Sequence, residues 1–143
     1  MTKVLLSVHV LAAIVLIGPV TVAASLFPRH ARAKEVGVLR VLHRISTGYA
    51  VAGLAVPVFG IALAGQMHVL GDAWLVISMA LTAVAALLLA LVIVPGQRRV
   101  LAALEKDENA GGPNLGMVTG LFALAWAVVV VLMIVRPGST TGV

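Results

Sequence analysis

The stretch LLSVHVLAAIVLIGPV, residues 5–20, holds one ionisable side chain, His9, in an otherwise apolar run. Extended to residues 4–27, the run suffices for a helix to cross the roughly 30 Å hydrocarbon core of a bilayer, which takes about 20 apolar residues. Lys3, the apolar run and the TVAAS near its end share features with a secretory signal. The run is longer than a usual signal core, however, and a basic segment stands where a mature domain would begin. The stretch therefore reads as an uncleaved first span.

Working outward, three more runs of this kind follow, at about residues 45–65, 73–95 and 115–135. The whole 143-residue chain agrees, being 62% hydrophobic, 10% charged and 4% aromatic, with a mean hydropathy of +1.15. A soluble domain needs far more charge to cover its surface. The absence of cysteine excludes a disulfide framework, a thiolate metal site and a thiol nucleophile. The expected fold is all-α: a polytopic membrane protein forming one antiparallel bundle of four transmembrane helices, since short loops make sequential helices neighbours.

Local signals set the expected boundaries. Pro28 closes the first span, and Arg136 with Pro137 closes the fourth. Asp72 suits the start of the third, where a carboxylate meets free N–H groups and the positive end of the helix dipole. Pro95 and Gly96 suit its stop. Glu108 to Asn114, the ENAGGPN segment, reads as a flexible turn. Gly18-Pro19 and Pro57 are expected to bend the first two helices, because proline removes a backbone donor and clashes with the preceding turn.

Basic residues orient the chain. Arg29, Arg32, Lys34, Arg40 and Arg44 lie in the first loop, and Arg98, Arg99 and Lys106 in the third, leaving Lys3 and Arg136 for the other side. By the positive-inside rule the first and third loops face the cytoplasm and both termini face out. The basic segments at residues 28–44 and 97–106 also carry Val36, Val38, Leu39, Val41, Leu42, Val100, Leu101 and Leu104. Such segments can form short helices in the headgroup layer of the bilayer, cations toward anionic lipids. Nucleic acid is not an expected partner, because the basic residues adjoin membrane spans and lack an aromatic stacking platform.

Small residues mark helix contacts, since close packing drives association in lipid. The third span carries Ser78, Thr82, Ala86 and Ala90 at four-residue spacing; the fourth begins with Gly116 and Gly120; the second has Gly53, Pro57, Gly60 and Ala64. Packing inside one bundle accounts for these; contact with another membrane subunit or a second copy is the alternative.

Topology sorts the four histidines. His9 and His68 fall on the outer side, His30 and His43 on the cytoplasmic side, so His9 and His43 cannot share one metal. His9, His68 and Met67, with Met1 near the same rim, are the candidate metal or cofactor ligands. Imidazole with thioether suits copper, and a single histidine on a membrane helix can hold haem b. The competing reading of His9 is a packed histidine hydrogen-bonded to a neighbouring helix, and that of His68 a solvated loop residue. An ionisable group within a span is a functional hypothesis by default. No catalytic residues are assigned: the spans lack carboxylates and interior Lys or Arg, and no Ser–His–acid set or phosphate loop can be assembled.

The segment HVLAAIVLIGPV, the LFPRH exit from the first helix and the RVLHRIS start of the second resemble a group of small four-helix bacterial integral membrane proteins. That group includes the copper-resistance D membrane domain, the haem-binding four-helix protoporphyrinogen oxidase and relatives of unknown function. The resemblance covers the first 60 residues, and the GDAWL opening of the third helix more loosely. It implies a bacterial plasma membrane location, a cofactor-ligand role for His9, and contacts from Arg29 and Arg44 to a cofactor carboxylate or lipid head group. The third span lacks a residue suited to the oxidase chemistry and the outer loops lack a Met/His-rich copper motif. The chain accordingly groups with the uncharacterised members. The expected role is a non-catalytic membrane protein, an accessory subunit of a larger complex; the alternative is a haem- or copper-binding protein using His9.

Overall fold

The computed structural model describes residues 2–108 and 114–137; Met1 and most of the ENAGGPN segment lie outside the described residues. Four long helices account for nearly all of it: α1 (Thr2–Arg32), α2 (Val36–Met67), α3 (Ala73–Glu105) and α4 (Leu115–Val135). Each is long and apolar enough to cross a membrane. At 1.5 Å of rise per residue, α1 to α3 are each about 46–50 Å long, well beyond the hydrocarbon thickness.

In α1 and α3 the extra length comes from prolines that do not end their helices, and in α2 from a start at Val36, well before the apolar run. Pro28 lies inside α1, which continues to Arg32, and α3 runs through Pro95 and Gly96 to Glu105. A proline removes one i→i−4 bond and presses on the carbonyl four residues back. Ahead of Pro19 and Pro95 the backbone widens into a π-type turn, at Ala13–Ile17 and Leu89–Ile93 respectively. This local i→i+5 bonding takes up the misfit without breaking the rod. Pro57 is accommodated differently: α2 breaks in a turn at Gly53 and Leu54, and Val56 N–H bonds the Gly53 carbonyl at 3.0 Å.

Along α1 and α2 the contacts run in opposite order. Thr2 meets Gln66, His9 meets Val56 and Gly60, and Ile17 meets Gly53. α3 packs on α4, the Val94–Glu105 end of α3 on the first half of α2, and the second half of α1 on α4. Three apolar clusters fill the contacts. The central one joins Val20 and Ala24 of α1, Ala85, Leu89 and Ile93 of α3, and Phe122 of α4. At the end near the basic residues, Phe27, Leu39, Leu42 and Leu115 are buried, with Val100, Leu101 and Leu104 packed against them. The apolar side chains expected in a headgroup layer are thus mostly core residues of extended helices, although Val38 and Val41 are exposed. At the opposite end Ala64, Val69, Trp74 and Leu75 form the third cluster.

The turns use specific chemistry. Lys34 takes the left-handed conformation (φ 56°) after α1, and Glu35 accepts from His30 Nδ1 at 2.7 Å. Asn114 caps α4, accepting the Met117 N–H at 3.2 Å. Asp72 stands at the N-cap of α3, but its carboxylate makes no cap bond. It accepts instead from Trp74 Nε1 at 3.2 Å.

Candidate functional site

Two buried polar clusters interrupt the apolar interior. The first is centred on His9, which is 8% exposed. The α1 register turns it toward α2, where its Nδ1 lies 3.0 Å from the Val56 carbonyl oxygen. A carbonyl can only accept, so Nδ1–H donates and Nε2 retains its lone pair in the neutral ring. Gly60, one turn beyond Val56, makes room for the imidazole. A Cβ built on Gly60 would stand 2.9 Å from His9 Cε1 and 3.4 Å from Nδ1. Only glycine allows the ring to lie this close to the helix backbone.

His68 and Met67, grouped with His9 in the sequence, are not gathered around it, and Met1 lies outside the described residues. His68 is exposed and occupies the left-handed position (φ 58°) that ends α2. Val69 N–H bonds the Ala64 carbonyl at 3.1 Å there, a helix-ending bond that reverses the chain. Eight residues separate Gly60 from His68, about 12 Å along the helix axis. Met67 packs into the apolar cluster of Ala64, Trp74 and Met133. Among the described residues no group of three or more His, Asp or Glu side chains is placed to hold a metal ion. Arg29 on α1 and Arg44 on α2 are both exposed. Arg44 stands at one end of an open groove of about 320 Å³ lined also by Ile45, Gly48, Tyr49 and Ala52.

The second cluster lies between α2 and α3 and escaped the sequence reading. Gln97 and Ser46 are fully buried. The Gln97 amide accepts from His43 Nδ1 at 3.1 Å and donates to Ser46 Oγ at 3.3 Å. Thr47 Oγ1, next to Ser46 in sequence, is buried and has no hydrogen-bond partner among the described residues. The signal was present: Ile93, Gln97, Leu101 and Leu104 share the helical spacing of one stripe once α3 is allowed past Pro95.

Near the other end of the molecule, Arg136, which ends α4, stacks on Trp74 of α3, its guanidinium carbon 5.6 Å from the ring centroid. With the Asp72–Trp74 bond this gives an acid–indole–cation stack tying two helix ends together.

The small residues divide between inside and outside. Gly53 faces Ile17, Gly60 faces His9, and Ser78 and Ala64 are buried. Ala86, Ala90 and Gly120 are exposed, and a Cβ on Gly120 would meet nothing within 4 Å.

No protein-family profile, curated protein or solved structure matches this chain.

Proposed function

We propose that this chain is a small non-catalytic integral membrane protein, an antiparallel four-helix bundle that serves as an accessory subunit of a larger membrane complex. The observation that carries this reading is the outward apolar surface. Val15, Val22, Leu54, Val58, Leu87, Leu91, Leu124 and Val131 are all more than half exposed, spread over the four helices. Water would penalise such a surface by about 25 cal/mol per Å², whereas lipid or a partner helix covers it. Ala86, Ala90 and Gly120 lie on this same surface, where small residues let another membrane helix approach closely. In the bacterial plasma membrane, the ends carrying Arg32, Lys34 and Lys106 would face the cytoplasm and both termini the outside.

Extraction of native membranes in mild detergent, followed by mass spectrometry of what remains bound, tests the accessory role. Stoichiometric co-purification of other membrane subunits supports it; a clean monomer or homodimer overturns it.

A second reading has a specific observation in its favour. The Val56 carbonyl fixes Nδ1–H of His9, and leaves Nε2 as the ring atom able to ligate iron or copper. Metal-ligating histidines usually have their other nitrogen anchored in this way. With His68 exposed at the far end of α2, such a site would take one histidine ligand from this chain, His9. A visible spectrum and metal analysis of the purified protein, beside His9→Ala, decides between the readings. A Soret band or stoichiometric copper lost in the variant establishes the cofactor role.

A further inference from the structure

We propose that the groove on α2 formed by Arg44, Ile45, Gly48, Tyr49 and Ala52 binds one anionic phospholipid, its phosphate on Arg44 and an acyl chain over Gly48 and Ala52. This rests on the membrane reading above and goes beyond it by naming a ligand and a place. The groove has a volume of about 320 Å³. Its residues recur at i, i+4 and i+8, so it runs along one helix face for about 12 Å. Gly48 is its floor: a Cβ there would meet nothing within 4 Å among the described residues.

The charge pattern selects the occupant. Arg40, one turn before Arg44, is engaged by Glu105 at 3.0 Å. Among the described residues Arg44 has no ion pair. A cation at one end and an apolar trough beyond it match an anionic head group with its chain. Tyr49, 38% exposed, places an amphipathic ring at the junction, where headgroup carbonyls can meet its hydroxyl. A free anion has no use for the trough, and a zwitterionic lipid offsets its phosphate with its own ammonium, whereas an anionic lipid leaves its net charge for the cation. A second copy fits poorly. Copies in one membrane share a direction, so symmetric pairing through this face sets Arg44 against the partner's Arg44. Like charges set face to face repel.

Native mass spectrometry of the detergent-purified protein tests the site, with equal amounts of phosphatidylglycerol and phosphatidylcholine added. The wild type should retain one phosphatidylglycerol in preference to phosphatidylcholine. Arg44→Gln should lower that preference roughly fivefold, the loss expected for one cation near an anionic lipid. Gly48→Leu, or Ala52→Leu as a second plug, should abolish retention of the chain. Arg98→Gln, an exposed cation on α3, should change nothing. Equal retention of the two lipids by the wild type overturns the proposal. So does an Arg98→Gln effect equal to that of Arg44→Gln, or a wild-type dimer that Gly48→Leu dissociates. Failure of the membrane reading shows separately, as release of the wild-type chain from membranes by an alkaline carbonate wash.

Discussion

Replacing Gly60 by alanine puts the His9 contact to a quantitative test. The new methyl would start 2.9 Å from His9 Cε1, whereas carbon atoms rest at about 3.5 Å or more. The ring must therefore recede from α2 by about 0.6 Å. The Val56 carbonyl is on that same helix, so a 3.0 Å bond stretches to about 3.6 Å, beyond hydrogen-bonding range. Losing the bond costs about 0.5–1.5 kcal/mol, and crowding a packed site costs about 1–3 kcal/mol. Alanine returns up to about 1 kcal/mol in helix propensity. Gly60→Ala should then destabilise the wild type by about 0.5–3.5 kcal/mol, yet stabilise a His9→Ala background by up to about 1 kcal/mol. The assay is a double-mutant cycle by thermal or denaturant unfolding in detergent micelles. A coupling of about 1–3 kcal/mol is expected; a coupling below about 0.3 kcal/mol refutes the ring-on-glycine contact.

Other substitutions probe the remaining features by the same unfolding assay. Gly53→Ala sets a methyl 2.9 Å from the Tyr49 carbonyl oxygen and 3.1 Å from Ile17 Cδ1; because backbone cannot swing aside, it should cost about 1–3 kcal/mol. Gln97→Leu strands both the His43 and the Ser46 side chain and should lower stability by about 1–3 kcal/mol, with Ser46→Ala recovering part of the loss when added. His68→Gly relieves a left-handed, non-glycine conformation and should stabilise by up to about 1 kcal/mol, with no loss of any bound metal or chromophore. An unchanged melting point for Gly53→Ala or Gln97→Leu, or a lower one for His68→Gly, would count against these assignments.

Much of this architecture was legible in the sequence because membrane spans are written in composition, and all four apolar runs lie within long helices. The start of α3 after Asp72 and both ends of α4 were legible as well; the C-terminal ends of α1 and α3 were not. Pro28 and Pro95 read as stops because an interior proline in water breaks a helix, yet here α1 and α3 continue past both. A widened turn ahead of Pro95 absorbs its misfit, which no propensity scale encodes. Once α3 runs on, Gln97 falls on the buried stripe and the His43–Gln97–Ser46 cluster becomes intelligible. His9 was conspicuous from residue type alone, but its partners Val56 and Gly60 are contributed by backbone and by a missing side chain, neither of which carries a sequence signature. The stripe of Ser78, Thr82, Ala86 and Ala90 looked continuous, yet only Ser78 is buried while Ala86 and Ala90 face out. Each four-residue step overshoots a 3.6-residue turn by about 40°, so the stripe drifts off the buried face before the widened turn at Leu89 begins.

The central claim, that four helices cross a membrane with both ends on one side, is open to a direct measurement because the chain contains no cysteine. Single cysteines at Lys3, His68, Ala33 and Lys106, all exposed positions near helix ends, can be labelled in intact cells with a membrane-impermeant maleimide. Lys3→Cys and His68→Cys should react at once, and Ala33→Cys and Lys106→Cys only after the membrane is permeabilised. Equal labelling of all four in intact cells, or labelling of Ala33→Cys without Lys106→Cys, would contradict the four-span topology.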